Sequence, residues 1–400
     1  MVSTEKELND LMKNLGHEEI ISLDTEFIRE STFFPTLELI QIGTDKDSWL
    51  IDVQAFRKNS KKDHTKFLQS MSSLVKVLKN KKIIKVLHAA QADQECFYSS
   101  FSALATPIFD TALAASLCGL GDNIGLANLL KSVLDVNIKK GFARTNWSVR
   151  PLPKQLQDYA HTDVIHLVEL ANRLFEKLDK LGRKDWAFEL SAHWEDKKLY
   201  EVSPEEITAK LMKTGKVSAK KALVLLDLVK WREKRVRELN VPRRWLADDK
   251  TLLDVAQVCP KTKEELFSFR GLQKAEINKN GNALLDIIKV GLECEDPPQF
   301  KFSRAPIPTP EEKRAVDLLK CYIAILADEN KIAKRHLIDS NTINEILRSE
   351  VKSVDDLIER NFLTPGAANL IGKDFLLFLN GKRGLVVNDL KVGVITPGKK

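Results

Sequence analysis

The 400-residue sequence lacks the patterns typical of membrane, secreted and zinc-binding proteins. No uninterrupted apolar run reaches the ~18 residues of a membrane-spanning helix. The opening "MVSTEKELNDLMKNLG" contains acids and no apolar signal-peptide region, which predicts an amphipathic helix and a cytoplasmic protein. The five cysteines, at positions 96, 118, 259, 294 and 321, form no CxxC pair and no Cys/His cluster. This argues against a zinc site or a disulfide framework.

The excess of positive charge lies entirely in the second half of the chain. Residues 1–200 hold 27 Lys and Arg against 27 Asp and Glu, whereas residues 201–400 hold 36 against 29. The excess is greatest from Lys210 to Lys250, where 13 basic residues meet 5 acidic ones, including those of "KWREKRVRELNVPRRW". Such a segment favours a polyanionic partner, and a solvated helix face is the alternative.

The first half alternates between strand and helix patterns. A helix at about 65–79, a strand at 82–90, a helix through "QECFYSSF" and a short strand at 106–111 precede a helical pattern that includes 156–178. We expect an α/β domain with a mixed sheet over residues 1–195. Three short apolar segments at its start predict an antiparallel meander: "IISLDTEFI" (20–28), "LELIQIGT" (37–44) and "SWLIDV" (48–53).

The second half is predicted to be helical. The proline-rich segment "EDPPQFKFSRAPIPTPE" (295–311) interrupts the helical pattern and is typical of a linker. It separates two helical units, at 212–294 and 312–385, whose similar lengths suggest a duplicated module, although their sequences match only loosely.

Four acids stand at positions that the predicted fold brings together. Asp24 and Glu26 alternate on the first strand and therefore share one face of it. Asp93 follows the fourth strand, at the strand-to-helix junction where open α/β sheets bind ligands. Asp163 lies on a later helix, four residues after Tyr159, so these two side chains share a helix face.

Clustered carboxylates repel one another, and divalent cations remove that conflict. Ligand sets made only of oxygen favour Mg²⁺ or Mn²⁺. Two such ions ~3.5–4 Å apart would activate a water and stabilise the attacking and leaving oxygens of a phosphoryl displacement. Tyr159 is then expected to orient that water, because its ordinary pKa near ~10 makes it a poor base. Each acid taken singly is more often a solvated surface residue, so the information lies in their order and spacing.

The sequence resembles the ribonuclease D family, in the tyrosine branch of the DEDD exonuclease superfamily. The resemblance is carried by "SLDTEFIRESTFFPTLELIQIG", "KVLHAAQADQECF", "FARTNWSVRPLP" and "QDYAHTDVIHL". It implies a ribonuclease H-like fold, with Asp24, Glu26, Asp93 and Asp163 as ligands of two Mg²⁺ or Mn²⁺ ions and Tyr159 positioning the water. The histidine branch would have His at position 158, where this chain has Asp158.

Two residues depart from the family pattern. Asn146 stands where Asp is more usual, which affects a local hydrogen bond and no metal ligand. His161 stands where small residues are usual, and helical spacing turns it away from Asp163.

The helical half resembles the HRDC module, the helicase-and-RNase-D C-terminal domain, through "WRE" and "VPRRW". The unit at 312–385 is expected to be a second, divergent HRDC copy, identified by position and length. The basic face of the first copy is expected to contact RNA phosphates, with a helical scaffold as the alternative. This face comprises Lys230, Arg232, Arg235, Arg243 and Arg244.

Further residues near the motifs are candidates for substrate contact, each with a structural alternative. Arg144, Trp147 and Arg150 would clasp phosphate and stack on a base, or form a structural corner. The others are Thr25, Phe27 and His88.

The leading hypothesis is a 3′-to-5′ exoribonuclease that releases 5′-monophosphates from structured RNA such as precursor tRNA. Direction and substrate are implied by the resemblance, whereas two-metal phosphodiester hydrolysis follows from the residues. One alternative is a 3′-to-5′ DNA exonuclease, and the other is a non-catalytic nucleic-acid-binding scaffold. A cytoplasmic monomer without membrane contact is expected.

Overall fold

The computed structural model describes residues 1–61, 63–138, 141–142, 145–214, 217–295 and 308–397. Its N-terminal domain is built on a five-stranded mixed sheet in the order β3-β2-β1-β4-β5. β1 pairs with β2 in antiparallel fashion and with β4 in parallel fashion, which confirms the predicted mixed sheet. The strands are β1 (Ile20–Ile28), β2 (Thr36–Gly43), β3 (Ser48–Asp52), β4 (Ile84–Leu87) and β5 (Ile108–Asp110).

Ten helices surround this sheet in the described part of the N-terminal domain. They are α1 (Glu5–Leu15), α2 (Val53–Asn59), α3 (His64–Ser70), α4 (Ser72–Leu78), α5 (Gln91–Phe101), α6 (Thr111–Leu117), α7 (Leu126–Leu134), α8 (Lys154–Ile165), α9 (Leu167–Leu181) and α10 (Lys184–Ala192). Two predicted helices are each divided in two, the first at Met71 and the second at His166. Short 3₁₀ turns at His193–Glu195 and Lys197–Leu199 lead out of the domain.

Two helical domains follow. The first contains α11 (Pro204–Thr214), α12 (Ala219–Leu239), α13 (Arg243–Leu246), α14 (Asp249–Val258), α15 (Lys263–Leu266) and α16 (Lys274–Glu293). The second contains α17 (Pro310–Glu329), α18 (Lys334–Leu337), α19 (Ser340–Leu347), α20 (Val354–Glu359), α21 (Pro365–Leu379) and the hairpin of β6 (Gly384–Asn388) and β7 (Lys391–Ile395).

The hairpin corrects the expectation of a wholly helical second unit. Leu385 and Val394 form a cross-strand pair that packs on the domain core, whereas Val387, nearer the tip of the hairpin, is exposed. Among the described residues, no helix has the length and apolar character needed to cross a membrane.

The two helical domains attach to the N-terminal domain differently. A single apolar core runs from α6, α9 and α10 into the second helical domain, where the backbone of Gly366 lies against the ring of Trp186. Arg183 crosses the same junction and donates to the carbonyls of Leu117 and Asn330. The first helical domain has a core of its own.

Candidate functional site

The first two acids lie on the face of β1 that is covered by α8. Ser22 and Gly43 form a cross-strand pair beneath this helix, and the Ser22 hydroxyl donates to the carbonyl of Val164 at 2.8 Å. A Cβ on Gly43 would lie 2.9 Å from that carbonyl oxygen, so only glycine permits the close approach. The sheet therefore holds α8 directly over Asp24 and Glu26.

This packing brings three carboxylates together. Asp24, Glu26 and Asp163 each place one oxygen within 4.8 Å of the others. Tyr159, one turn before Asp163, donates its hydroxyl to the Asp163 carboxylate. Asp163 is far from Asp24 and Glu26 in the sequence, and the packing of α8 on β1 brings it next to them.

Asp93 approaches from α5, on the other side of β1. The Thr25 hydroxyl donates to its carboxylate at 2.6 Å, in a buried hydrogen bond. The loop before α5 is held by Asp110, whose carboxylate accepts from the amides of Ala89 and Ala90 at 3.0 Å. Ala89 has φ of 60°, a left-handed conformation rare for alanine, and the Asp110 bonds stabilise it.

The four acids share a strongly electronegative environment. Burial, and then the charges of Asp93, Asp163 and Glu26, hold the pKa of Asp24 well above its usual range. Burial and the same kind of repulsion raise the pKa of Glu26 to about 9. Burial raises the pKa of Asp93 and of Asp163 to about 7, although each accepts a hydrogen bond. Because burial and mutual repulsion disfavour the ionised form of these four acids, bound cations would stabilise their negative charges.

The ring of Tyr159 is fixed by aromatic neighbours. It packs edge-on against Phe142 at 5.4 Å and lies 6.2 Å from the ring of Trp147. Burial, followed by the charges of Asp163, Glu26 and Asp24, raises the pKa of Tyr159. Its hydroxyl therefore stays protonated at neutral pH and acts as a hydrogen-bond donor.

Gln41 is a further polar group at this site. It is paired with Asp24 across the strands, so the two side chains share a face of the sheet. Its amide is fully buried, and within the described part of the chain neither its oxygen nor its nitrogen has a hydrogen-bond partner.

The candidate substrate-contact residues nearest the acids, Thr25, Phe27 and His88, contact other groups of the protein. Thr25 is buried and positions Asp93, and Phe27 packs against the core beneath the sheet. His88 bonds the Thr111 hydroxyl at 2.9 Å, and burial lowers its pKa despite the nearby carboxylate of Asp110.

The segment expected to clasp substrate is a structural corner. Trp147 is 1% exposed, so it is not available to stack on a base, which corrects that prediction. Arg150 forms two 2.8 Å bonds to Asp52 and donates to the Trp147 carbonyl, which favours the structural alternative. Asn146 accepts from Ser148 in a local turn. Arg144 lies outside the described residues.

The predicted basic face of the first helical domain is largely neutralised. Arg232 is fully buried and pairs with Asp249 at 2.6 Å, so its assignment as a surface RNA contact is wrong. Arg235 makes two bonds to Glu276, and Arg243 makes two to Glu233. Of the remaining pair, Lys230 forms long ion pairs at 3.4 and 3.7 Å, and Arg244 is exposed.

Several residues that organise the site escaped the sequence analysis. Ser22 and Gly43 set the position of α8, and Asp110 sets the loop before Asp93. Asp110 carried a usable signal, because an Asp at the end of a short strand is a common N-cap of the next helix. His161 faces away from the acids, as expected, and bonds Ser48 at 2.8 Å.

Comparison with known proteins gives the same architecture. The family model for 3′-5′ exonucleases matches residues 1–179, and that for the HRDC domain matches residues 222–288. The chain is 30% identical to the ribonuclease D of Acidiphilium cryptum over 396 residues, which cover 99% of this chain and 96% of that relative. It is 31% identical to the ribonuclease D of Sphingobium indicum, over 86% of this chain and 87% of that one.

A solved structure is similar over nearly the whole chain. It is the crystal structure of Escherichia coli RNase D, described as an exoribonuclease involved in structured RNA processing. The two share 25% identity and a TM-score of 0.79, over 95% of this chain and 98% of that one.

Proposed function

Because this chain belongs to the ribonuclease D family, we propose that it is a metal-dependent 3′-to-5′ exoribonuclease that releases nucleoside 5′-monophosphates from RNA. The observation that carries the proposal is the convergence of Asp24, Glu26 and Asp163 within 4.8 Å, with Asp93 adjoining them. The family membership and this geometry do not favour an inert scaffold or a DNA-specific enzyme.

The residues fit a divalent metal centre. All donors are carboxylate oxygens, which suit Mg²⁺ or Mn²⁺. The proposal is supported by the raised pKa values of Glu26, Asp93 and Asp163, which are caused first by burial and for which no neighbouring cation is among the main causes. We assign two such ions to Asp24, Glu26, Asp93 and Asp163. When bound, they would lower the pKa of a water and neutralise charge at the scissile phosphate.

The protein's own groups then orient the reaction. In the ion-free protein the Tyr159 hydroxyl donates its single hydrogen bond to Asp163, and the packing of its ring fixes its position. With Asp163 bound to an ion, the same hydroxyl would instead donate to the attacking water. Thr25 keeps Asp93 turned toward the other acids. Ser22 and Gly43 hold α8 close to the sheet, which fixes the positions of Tyr159 and Asp163 over Asp24 and Glu26.

The substrate assignment is structured RNA, with precursor tRNA 3′ ends as the specific proposal. It is supported by the relationship to the Escherichia coli enzyme of structured RNA processing. We assign the protein to the cytoplasm and expect a monomer.

The domain division is part of the proposal: an exonuclease domain at 1–195, a first HRDC domain at 212–294, a linker at 295–311 and a divergent second HRDC domain at 312–385. The second unit is supported by matching elements. "RRWL" in α13 and "KRHL" in α18 each follow a long helix, and the same number of residues separates each from Thr262 and Ser353, the N-caps of α15 and α20. We infer a duplicated module.

The test removes one ligand. Asp24→Asn should lower the rate of RNA cleavage in Mg²⁺ by at least about a hundredfold, because a bound ion contributes several kcal/mol of transition-state stabilisation. RNA affinity in EDTA should change little. Asp179→Asn, at an exposed carboxylate on α9, is the matched control and should cleave normally.

Two results would contradict the proposal. One is wild-type cleavage by Asp24→Asn, which would place the chemistry elsewhere. The other is preferential degradation of DNA when matched RNA and DNA oligonucleotides are compared, which would exclude RNA as the substrate.

A further inference from the structure

A cavity of 570 Å³ lies where the exonuclease domain meets the first helical domain. One wall is the loop after β1, with Arg29 and Phe34, and another is the exposed face of α5, with Glu95 and Tyr98. The first helical domain and the segment leading to it supply the remainder, including Tyr200, Arg237 and Arg243. None of these residues belongs to the metal site.

This cavity begins close to the acids. Arg29 follows Glu26 by three residues on the same stretch of chain, and the lining residue Gln91 precedes Asp93 by two. An RNA strand that leaves the site can therefore reach the cavity.

The lining combines aromatic rings with the guanidinium groups of three arginines and the carboxylates of Glu95 and Glu201. The rings of Tyr98 and Tyr200 lie 5.9 Å apart, and Tyr98 donates its hydroxyl to Glu201. Arg29 pairs with Glu95 at 2.7 Å but remains 43% exposed at its side chain. Aromatic surfaces between arginines are typical of sites for single-stranded nucleic acid, where bases stack and phosphates pair with cations.

A second cavity continues from the first. It has a volume of 330 Å³, shares Phe34 and Ser99 with the larger one, and is lined further along by Arg57, His64 and Phe67. Phe34 is 38% exposed and lines both cavities. A large apolar side chain exposed between two cavities is suited to stacking.

The position of Phe34 is set by the first helical domain. The side-chain oxygen of Asn240 accepts from the amides of both Phe33 and Phe34 at 3.1 Å. The guanidinium groups of Arg237 and Arg243 lie 4.8 and 5.0 Å from the centre of the Phe33 ring. The helical domain thus fixes Phe33, whose ring packs edge-on against that of Phe34 at 4.8 Å, and the rest of the Phe34 side chain faces the cavities.

We propose that these two cavities hold the single-stranded nucleotides on the 5′ side of the scissile bond, with a base stacked on Phe34. The proposal rests on the exoribonuclease function above and adds a binding track to it. It makes Phe34 a residue that determines how strongly the enzyme prefers longer RNA ends to very short ones.

The test compares substrate lengths. The ratio of kcat/KM for a uridine hexanucleotide to that for a uridine dinucleotide should fall about tenfold in Phe34→Ser, because one base–aromatic stack is removed. Phe34→Trp should preserve the ratio. The matched control is Phe267→Ser, at a phenylalanine 37% exposed in the first helical domain and away from both cavities.

A length ratio in Phe34→Ser equal to that of Phe267→Ser would overturn the proposal. A second measurement covers the case in which Phe34→Ser does not fold. In the wild-type protein in EDTA, a hexanucleotide with 4-thiouridine third from its 3′ end should crosslink to residues of the two cavities. Crosslinks confined to other segments would also overturn it. If the proposed exoribonuclease function itself were wrong, Asp24→Asn would cleave RNA as fast as the wild type, so this failure is distinguishable from failure of the binding-track proposal.

Discussion

Gln41 places a buried amide directly across the sheet from Asp24. Leaving such a group without partners costs about 1–3 kcal/mol. Within the described residues its side chain bonds to no protein group, so its value to the protein lies in what enters the site. We infer that it binds an internal water next to Asp24.

This role can be separated from a structural one. Gln41→Leu should leave the melting temperature unchanged or raise it, because an unpaired amide is removed, and should lower kcat about tenfold, as expected for the loss of one hydrogen bond. Thermal melts and single-turnover cleavage in Mg²⁺ measure the two effects.

The matched control is Gln94→Leu. Gln94 is equally buried, but its amide bonds both backbone groups of Ala105, so its loss should destabilise the fold by about 1–3 kcal/mol. Equal destabilisation by the two substitutions would show that Gln41 is only a structural amide.

At the scale of elements, the contact between β1 and α8 decides whether the site exists. A Cβ on Gly43 would lie 2.4 Å from the Ser22 hydroxyl oxygen and 2.9 Å from the Val164 carbonyl oxygen, and the second contact would push α8 away from the sheet. We expect Gly43→Ala to cost about 1–3 kcal/mol of stability, as overpacking does. Displacing Tyr159 and Asp163 by about 1 Å should lower kcat by about a hundredfold.

Thermal melts and steady-state rates measure this prediction. Gly125→Ala is the control, because a Cβ there meets no atom within 4 Å and its backbone is extended. If Gly43→Ala kept wild-type activity, α8 would not need its close approach to β1.

The strands and the acids were predictable from the sequence, but the residues that hold the acids in place, Ser22, Gly43 and Asp110, were not. A short apolar segment bounded by turn-forming residues predicted β1 correctly as Ile20–Ile28, and the order and spacing of Asp24, Glu26, Asp93 and Asp163 suggested one site. The breaks at Met71 and His166 depend on tertiary packing, which periodicity does not report. Arg232 looked like a surface cation because the sequence does not show that Asp249 and Glu233 would surround it.

At the scale of the whole molecule, the acid cluster makes stability depend on pH. In the ion-free protein Glu26, Asp93 and Asp163 hold protons up to about pH 7–9, whereas in the unfolded chain they lose them near pH 4. The folded state therefore binds more protons in this interval, and its stability falls as the pH rises through it.

Divalent ions should reverse this trend, because they take the place of the protons. We expect the melting temperature in EDTA to fall from about pH 5 to pH 9, and the increase produced by Mg²⁺ to grow over the same range. Glu26→Gln should flatten the EDTA profile. A profile in EDTA that rises with pH would contradict the assignment of these acids as a cation site.

The unequal attachment of the two helical domains has a consequence for how the molecule opens. The second shares an apolar core with the exonuclease domain, whereas the first has a separate core and meets that domain through Asn240, Arg237 and Arg243. We therefore expect sub-global opening to begin with detachment of the first domain as an intact body, while the other two stay joined as one cooperative unit. Such a body would move aside for a bulky RNA fold and return without any helix melting.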